Sequence, residues 1–441
     1  MSSAEEVTRD PDPSVTAERG AEPIPTAPLD ERAKHGEIPA SVPGSYWGWL
    51  VAIGVSLLGG QVQSFALGWT ATAHGAASAA LVLTASSVPR TVLLLIGGAV
   101  ADHRGPWLVM VISDAVMCAA TVALAVAVVM IGSPAWLLLT AAAVTGVSGA
   151  FYSPASSTIP RRLVEGPALG RAMAGWQVAG QAVTILGPPL GGLVIVSLGL
   201  GGAAALNAVS FAVILCLLLT VRTRFTVADP PAAANSGRLF TRAFDGVRIV
   251  ARDRLLRSLL ALVALVAGCA LPIGSLLIPL LVRSHHWPAS TAGAMVGAQA
   301  LGAGAIILVV LVRDTNRRPG VAAAIGLFTI AAATVLLAAV GSPDIAPIIS
   351  AAAGLGFGLF GVHVSPLILA ATPSQHMSRV QAVVALCQSL PLIIGLAIAG
   401  ALTSQFGVRW MLFLTGLALF SSGILALRSS SIRNAQLSTR A

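Results

Sequence analysis

The sequence predicts an all-α membrane protein, with twelve membrane-crossing helices in two six-helix bundles, and three observations predict it. Of 441 residues, 56% are apolar and only 10% are charged, whereas a soluble domain carries roughly a quarter charged residues. Nine of the 17 carboxylates lie before residue 40, which leaves eight for some 400 further positions. No water-facing surface can be built from that, so a soluble enzyme is excluded; a disordered scaffold would be poor in apolar residues. The apolar segments are also continuous over lengths that cross a bilayer, where a closed barrel would show alternating strands of about ten residues.

The elements follow in order. Residues 1–46 form an acidic tail expected to be disordered and cytoplasmic, with nine acids against Arg9, Arg19, Arg32 and Lys34. It holds no apolar core of a signal peptide, so insertion is expected to begin at the first span. Apolar runs then place spans at about 47–69, 77–101, 107–131, 135–157, 172–198 and 202–221, giving a first bundle over 47–222. A polar linker, 223–256, separates it from a second bundle over 257–427, and 428–441 form a cytoplasmic tail. The second set of spans lies at about 257–282, 288–312, 320–340, 345–371, 379–403 and 408–427. In the linker, Phe240, Phe244, Val247, Ala251 and Leu255 recur at helical steps, with Arg238, Arg242, Arg248 and Arg252 on another face. That pattern reads as a basic amphipathic helix on the inner membrane surface or as a solvated linker helix. Seven tryptophans (Trp47, Trp49, Trp69, Trp107, Trp136, Trp287 and Trp410) stand at span ends, where an amphipathic ring prefers the interface. Only Trp176 sits further in.

Orientation comes from arginine. Loops after even-numbered spans hold Arg104, then Arg161, Arg162 and Arg171, then Arg313, Arg317 and Arg318, then Arg379; loops after odd-numbered spans hold only Arg283 and Arg409. Positive charge stays inside, so the even loops and both termini are expected in the cytoplasm; one Lys among 26 basic residues, with abundant Ala, Gly and Arg, points to a bacterial product and so to the inner (plasma) membrane. The net charge of +9 is distributed between spans and not along one basic face, so no nucleic-acid partner is implied. Cys118, Cys216, Cys269 and Cys387 fall in separate spans with no metal-ligand spacing; no metal or cofactor is expected.

An internal repeat divides the chain. Asp102 and Asp314 are 212 residues apart, as are Ser153-Pro154 and Ser365-Pro366. Two bundles related by a repeat, with a site between them at the midplane, form a transporter plan. The motif Gly98-Ala99-Val100-Ala101-Asp102-His103-Arg104-Gly105 after the second span, and Gly187-Pro188-Pro189-Leu190-Gly191-Gly192 in the fifth, resemble two signatures of the major facilitator superfamily. Phe151-Tyr152-Ser153-Pro154-Ala155 and Gln63-Ser64-Phe65-Ala66-Leu67-Gly68-Trp69 resemble its drug-exporting branch. The resemblance covers about 47–427 and implies a proton antiporter that exports a drug, antibiotic or natural product by alternating access. Within it, Gly98, Asp102, Arg104 and Gly105 would form a gating signature, and Gly187, Pro188, Gly191 and Gly192 an antiporter signature. His103 stands where the family carries Arg, and Pro106-Trp107 where it carries a basic pair, which loosens the gating motif.

The polar groups inside the spans are few. Arg90 and Asp114 are expected as a buried charge pair, or as a proton-coupling pair, because an intramembrane charge must pair or face water. Gln63, Gln177, Gln181, Gln299, Gln388 and His363 are candidate cavity residues, each equally able to join helices together. With Asp114 engaged by Arg90, no free acid remains for a cation, so the cargo is expected to be a neutral or acidic molecule. No P-loop sequence occurs, so this chain does not draw on ATP, and no clustered nucleophile, acid and His supports an enzyme. The rival readings are an uptake transporter of the same fold and, more remotely, a membrane-embedded enzyme. The expected partners are the small-molecule cargo, protons and the lipid bilayer, with a monomer as the working unit.

Overall fold

A computed structural model of the protein describes residues 42–164, 166–220, 247–312, 318–373 and 376–433. Among them, the first six helices are α1 (Gly44–Ala71), α2 (Ala76–Arg104), α3 (Pro106–Ile131), α4 (Ala135–Leu163), and the two arms of the helical run Leu169–Thr220. That run is 52 residues long. Straight, it would measure about 78 Å at about 1.5 Å per residue, far beyond a hydrocarbon core of about 30 Å. It reverses at Gly199, whose φ of 68° and ψ of −172° break the helix in a single residue; its arms, 169–198 and 200–220, are α5 and α6. Among the described residues eleven helical runs are long and apolar enough to cross a membrane, and this reversal makes twelve crossings of them. The chain is a multi-pass membrane protein.

The second six are α7 (Arg254–Ser284), α8 (Ala289–Val312), α9 (Pro319–Ala339), α10 (Ala346–Ala371), α11 (Met377–Phe406) and α12 (Val408–Arg428). Asp253 caps α7, its carboxylate accepting from the backbone N–H groups of Leu255 and Leu256 at 2.8 and 2.9 Å. Near its Ile273–Leu277 segment α7 opens into a π-helical turn. Of the expected amphipathic helix, 247–252 is helical and Leu255 belongs to α7; its part before 247 lies outside the described residues, as do 1–41 and 434–441 of the two expected tails.

Packing repeats with a shift of six. In the first half α1 packs on α5, α2 on α4 and α3 on α6; in the second, α7 packs on α11, α8 on α10 and α9 on α12. Across the halves α5 meets α8 and α11 meets α2, which is the same operation again. Glycine makes the crossings close: a Cβ on Gly192 of α5 would stand 2.8 Å from the carbonyl oxygen of Ala289, and one on Gly187 would stand 2.6 Å from Cβ of Gln61. Small residues at such crossings let backbones touch, which is how helices associate in lipid.

The two ends of the bundle differ. At the end where α1 finishes (the far end), the halves are joined. Arg283 of α7 donates from Nε to Thr72 Oγ1 at 2.7 Å and from its terminal amine to the carbonyl of Trp69 at 3.1 Å, with its guanidinium 4.7 Å from the centre of the Trp69 ring. Trp69 therefore serves a contact between halves. Trp49 likewise departs from the interfacial expectation, being 5% exposed and stacked on Trp176 with ring centres 5.5 Å apart. Trp47, Trp136 and Trp410 remain exposed at their helix ends.

Candidate functional site

A cavity of about 580 Å³ opens among the first six helices. Its wall runs from the middle of the helices toward the end where α1 begins (the near end), because its residues lie early in α3 and α5 and late in α4. Serine dominates it: Ser56 and Ser64 from α1, Ser86 and Ser87 from α2, Ser113 from α3, and Ser148, Ser153, Ser156 and Ser157 from α4. Five wall hydroxyls already donate to their own helix. Ser86 and Ser87 donate to Leu83, Thr145 to Ala141, Ser156 to Ser153 and Ser157 to Pro154, at 2.8–3.2 Å. A hydroxyl that donates in this way keeps its lone pairs for accepting. Trp176 and Phe211 supply an aromatic side, and Gln61 an amide.

Two charged residues share this wall. Arg90 is exposed into the cavity, its stem passing about 4 Å from where a Cβ on Gly149 would stand. Asp114 is 1% exposed, and neither of its carboxyl oxygens has a hydrogen-bond partner; the hydroxyl of the neighbouring Tyr152 has none either. The expected ion pair is therefore not made in this structure, although both residues reach one cavity. Arg90 lies against α4 at Gly149, and Asp114, early in α3, lies beside Tyr152 one turn further along α4.

The six expected cavity residues do not line this cavity. Gln63 is 3% exposed and its Oε1 accepts from Asn207 Nδ2 of α6 at 2.6 Å, while Ser210 donates to Asn207 Oδ1 at 3.0 Å. Gln63 is thus a helix–helix tie, and Gln61, two residues earlier and turned by about 200°, takes the place it was expected to have. His363 is buried, its Nδ1 2.8 Å from the Leu359 carbonyl and its Nε2 without a partner. Gln177 and Gln388 are exposed, Gln181 approaches Gly304 of α8, and Gln299 approaches Gly274 of α7. In the signature after α2, Gly105 turns the chain at φ 82° and Arg104 is exposed; nothing is described of the Asp102 side chain. In the α5 signature Gly187 and Gly191 pack on Gln61 and Phe65 of α1, and Pro188 and Gly192 meet α8. Tyr152, Ser153 and Ser64 stood in the two motifs that resemble the drug-exporting branch but were given no place in a site, and Gln61 and the other serines were not singled out; their signal was the recurrence of small polar residues at steps of three and four on α4.

The tie makes a measurable claim. Gln63→Ala leaves the Asn207 amide unpaired, and interhelical hydrogen bonds in lipid contribute about 0.6 kcal/mol on average and up to about 1.7. A fall in thermal midpoint in detergent is expected, with cargo affinity unchanged. A changed affinity at unchanged midpoint would return Gln63 to the cargo site.

Twelve crossings, a pseudo-repeated pairing of helices and a polar cavity in the apolar bundle define a secondary transporter. The profile of the Major Facilitator Superfamily matches residues 49–396, and the chain belongs to that family. It is similar to the protein named multidrug efflux pump Tap of Mycolicibacterium fortuitum, 26% identical over 400 residues that cover 87% of this chain and 95% of that one. Its likeness to the pump of the same name in Mycobacterium tuberculosis is 24% identity over 380 residues, covering 83% and 88%. Among solved structures it resembles a peptide transporter POT in complex with sulfate, with TM-score 0.68, 12% identity and coverage of 88% and 95%. It also resembles the nucleoside transporter NupG, with TM-score 0.66, 12% identity and coverage of 88% and 100%. These structures share its fold.

Proposed function

We propose that the protein exports small organic molecules from a bacterial cell in exchange for protons, working by alternating access as a monomer in the plasma membrane. The observation that carries this reading is Asp114, a carboxyl without donor or counter-charge at the wall of a polar cavity that also holds Arg90. A buried carboxylate left unpaired costs several kcal/mol, so Asp114 is satisfied by a proton or by Arg90. The carboxyl oxygens make no hydrogen bond, which supports the protonated state; loss of that proton draws the Arg90 guanidinium to the carboxylate. Exchange follows where cargo and proton favour opposite arrangements of this pair. The names of the relatives support export over uptake, and the arginines of the short loops support cytoplasmic termini, which places the near end and its cavity toward the cytoplasm. Arg90 is the charge facing the space, so the cargo is neutral or acidic.

Vesicles made inside-out from cells producing the protein test all of this together. With the lumen acidified, adding cargo is expected to draw protons out of the lumen while cargo accumulates there, and a neutral or acidic compound is expected to outperform ethidium. A thiol at Ser133 is expected to be labelled in intact cells and one at His103 only in inside-out vesicles. Cargo leaving an acid lumen with its protons would establish uptake instead, and ethidium transport that survives Asp114→Asn would overturn the charge reading.

A further inference from the structure

The two loop arginines that stand against the positive-inside pattern, Arg283 and Arg409, are both fixed at the far end, and a histidine lies between them in the chain of contacts. His285 follows the last turn of α7. Its Nε2 is 2.8 Å from the terminal amine of Arg409 on α12, and its Nδ1 is 3.0 Å from the carbonyl of Leu281. A guanidinium only donates and a carbonyl only accepts. The two contacts together therefore demand one state of the ring, neutral, with the proton on Nδ1. The ring also stacks on Trp287, centres 4.5 Å apart. Two residues before it, Arg283 makes the bonds to Thr72 and Trp69 that join the halves.

We propose that His285 is a proton-binding gate residue of the far end: its neutral ring ties the tip of α7 to Arg409, and a proton arriving from that side breaks the tie and releases the Arg283 contact that closes the exit. This rests on the exporter reading given above, and adds to it a site outside the cavity. Protonation turns Nε2 into a donor facing another donor, so the contact with Arg409 cannot persist. It also sets a third positive charge on a tip that already carries Arg283, next to Arg409. The elements packed against the tip offer no compensation: α8 and the π-helical turn of α7 carry no titratable side chain, α12 brings Arg409 and, at its opposite end, Arg428, the α1–α2 turn brings His74, and α7 is followed by His286. No carboxylate belongs to any of them. Acid outside therefore favours the open exit, and neutral medium the closed one. Histidine is the side chain suited to that change. The same acidity that loads Asp114 would thus also open the way to it.

The distance between spin labels at Ala73, in the α1–α2 turn, and Gln405, near the end of α11, reads the exit directly. The measurement uses the full chain in lipid nanodiscs, with the four native cysteines replaced by alanine and Asp114→Asn throughout, so that the cavity acid contributes nothing. Between about pH 7.5 and about pH 5.5, the open-to-closed ratio is expected to rise about tenfold, the size of one lost hydrogen bond to a charged group. His285→Gln, whose amide can still accept from Arg409, is expected to stay closed at both values. His285→Lys is expected to be open at both. Lack of an acid response with His285 present, or an undiminished response in His285→Gln, would overturn the proposal. Neither result depends on cargo movement. Failure of the exporter reading would show instead as absent transport by vesicles whose labelled exit still responds to acid.

Discussion

Replacing Asp114 with asparagine is expected to leave a folded protein that equilibrates its cargo across the membrane and can no longer concentrate it. Asparagine has nearly the same volume and no charge to bury, and the carboxyl it replaces makes no hydrogen bond whose loss would weaken the fold. What disappears is the group that takes up and gives back a proton. One pH unit across the membrane is worth about 1.4 kcal/mol per proton, so a one-for-one exchanger holds about a tenfold cargo gradient for each unit. In the variant that ratio is expected to fall to about one, while exchange of labelled for unlabelled cargo continues. Cargo accumulation against an imposed pH gradient in proteoliposomes measures it. A variant that still accumulates cargo in proportion to the gradient would remove Asp114 from coupling and move the search to His363, whose buried Nε2 also has no partner.

The second large effect is expected at Gly192→Val. Here the obstacle is backbone on the facing helix, since a Cβ would meet the Ala289 carbonyl oxygen at 2.8 Å and Ser290 Cα at 3.0 Å, and neither can rotate away. Forcing groups into a packed crossing costs about 1–3 kcal/mol, which shifts a conformational equilibrium by roughly 5- to 150-fold. Because α5 and α8 touch at the far end, the loss falls on the state in which that end is shut. Transport is expected to drop by more than an order of magnitude, roughly as that shift dictates, with the Ala73–Gln405 distance lengthened at every pH. Gly192→Ala, with its smaller obstacle, is expected to fall between. Normal turnover in Gly192→Val would mean that the crossing separates without consequence, and would leave the α5 signature a packing motif alone.

The apolar runs were enough to read the helices, since lipid imposes one simple requirement on every span. The reversal at Gly199 shows where that reading is coarse. Sequence placed two spans with a short gap at 199–201, and the chain turns on one residue inside an unbroken run. The site was less legible because polar residues in a membrane helix have two uses, and hydropathy does not separate them. Gln63 and Gln61 differ by two positions on one helix, yet one faces Asn207 and the other faces the cavity. Arg90 and Asp114 were legible as intramembrane charges, but their separation depends on how α2, α3 and α4 are placed. Tyr152 was visible only as part of a motif: its hydroxyl gains meaning beside Asp114. The far-end arginines were visible as exceptions to a rule, and it took the folded chain to show that each had a partner.

The turns at the far end carry one more consequence. The six connections there, at 72–75, 132–134, 199, 285–288, 340–345 and 407, are at most six residues long. Proteases nick exposed loop tips and insertions survive in them, and antibodies and phage also need something that protrudes. If this end faces the surroundings of the cell, the protein shows them little more than the tips of its helices. A blocking molecule applied from outside would then have no flap to hold. Its foothold would be the seam itself, where Trp69, Arg283 and His285 come to the surface.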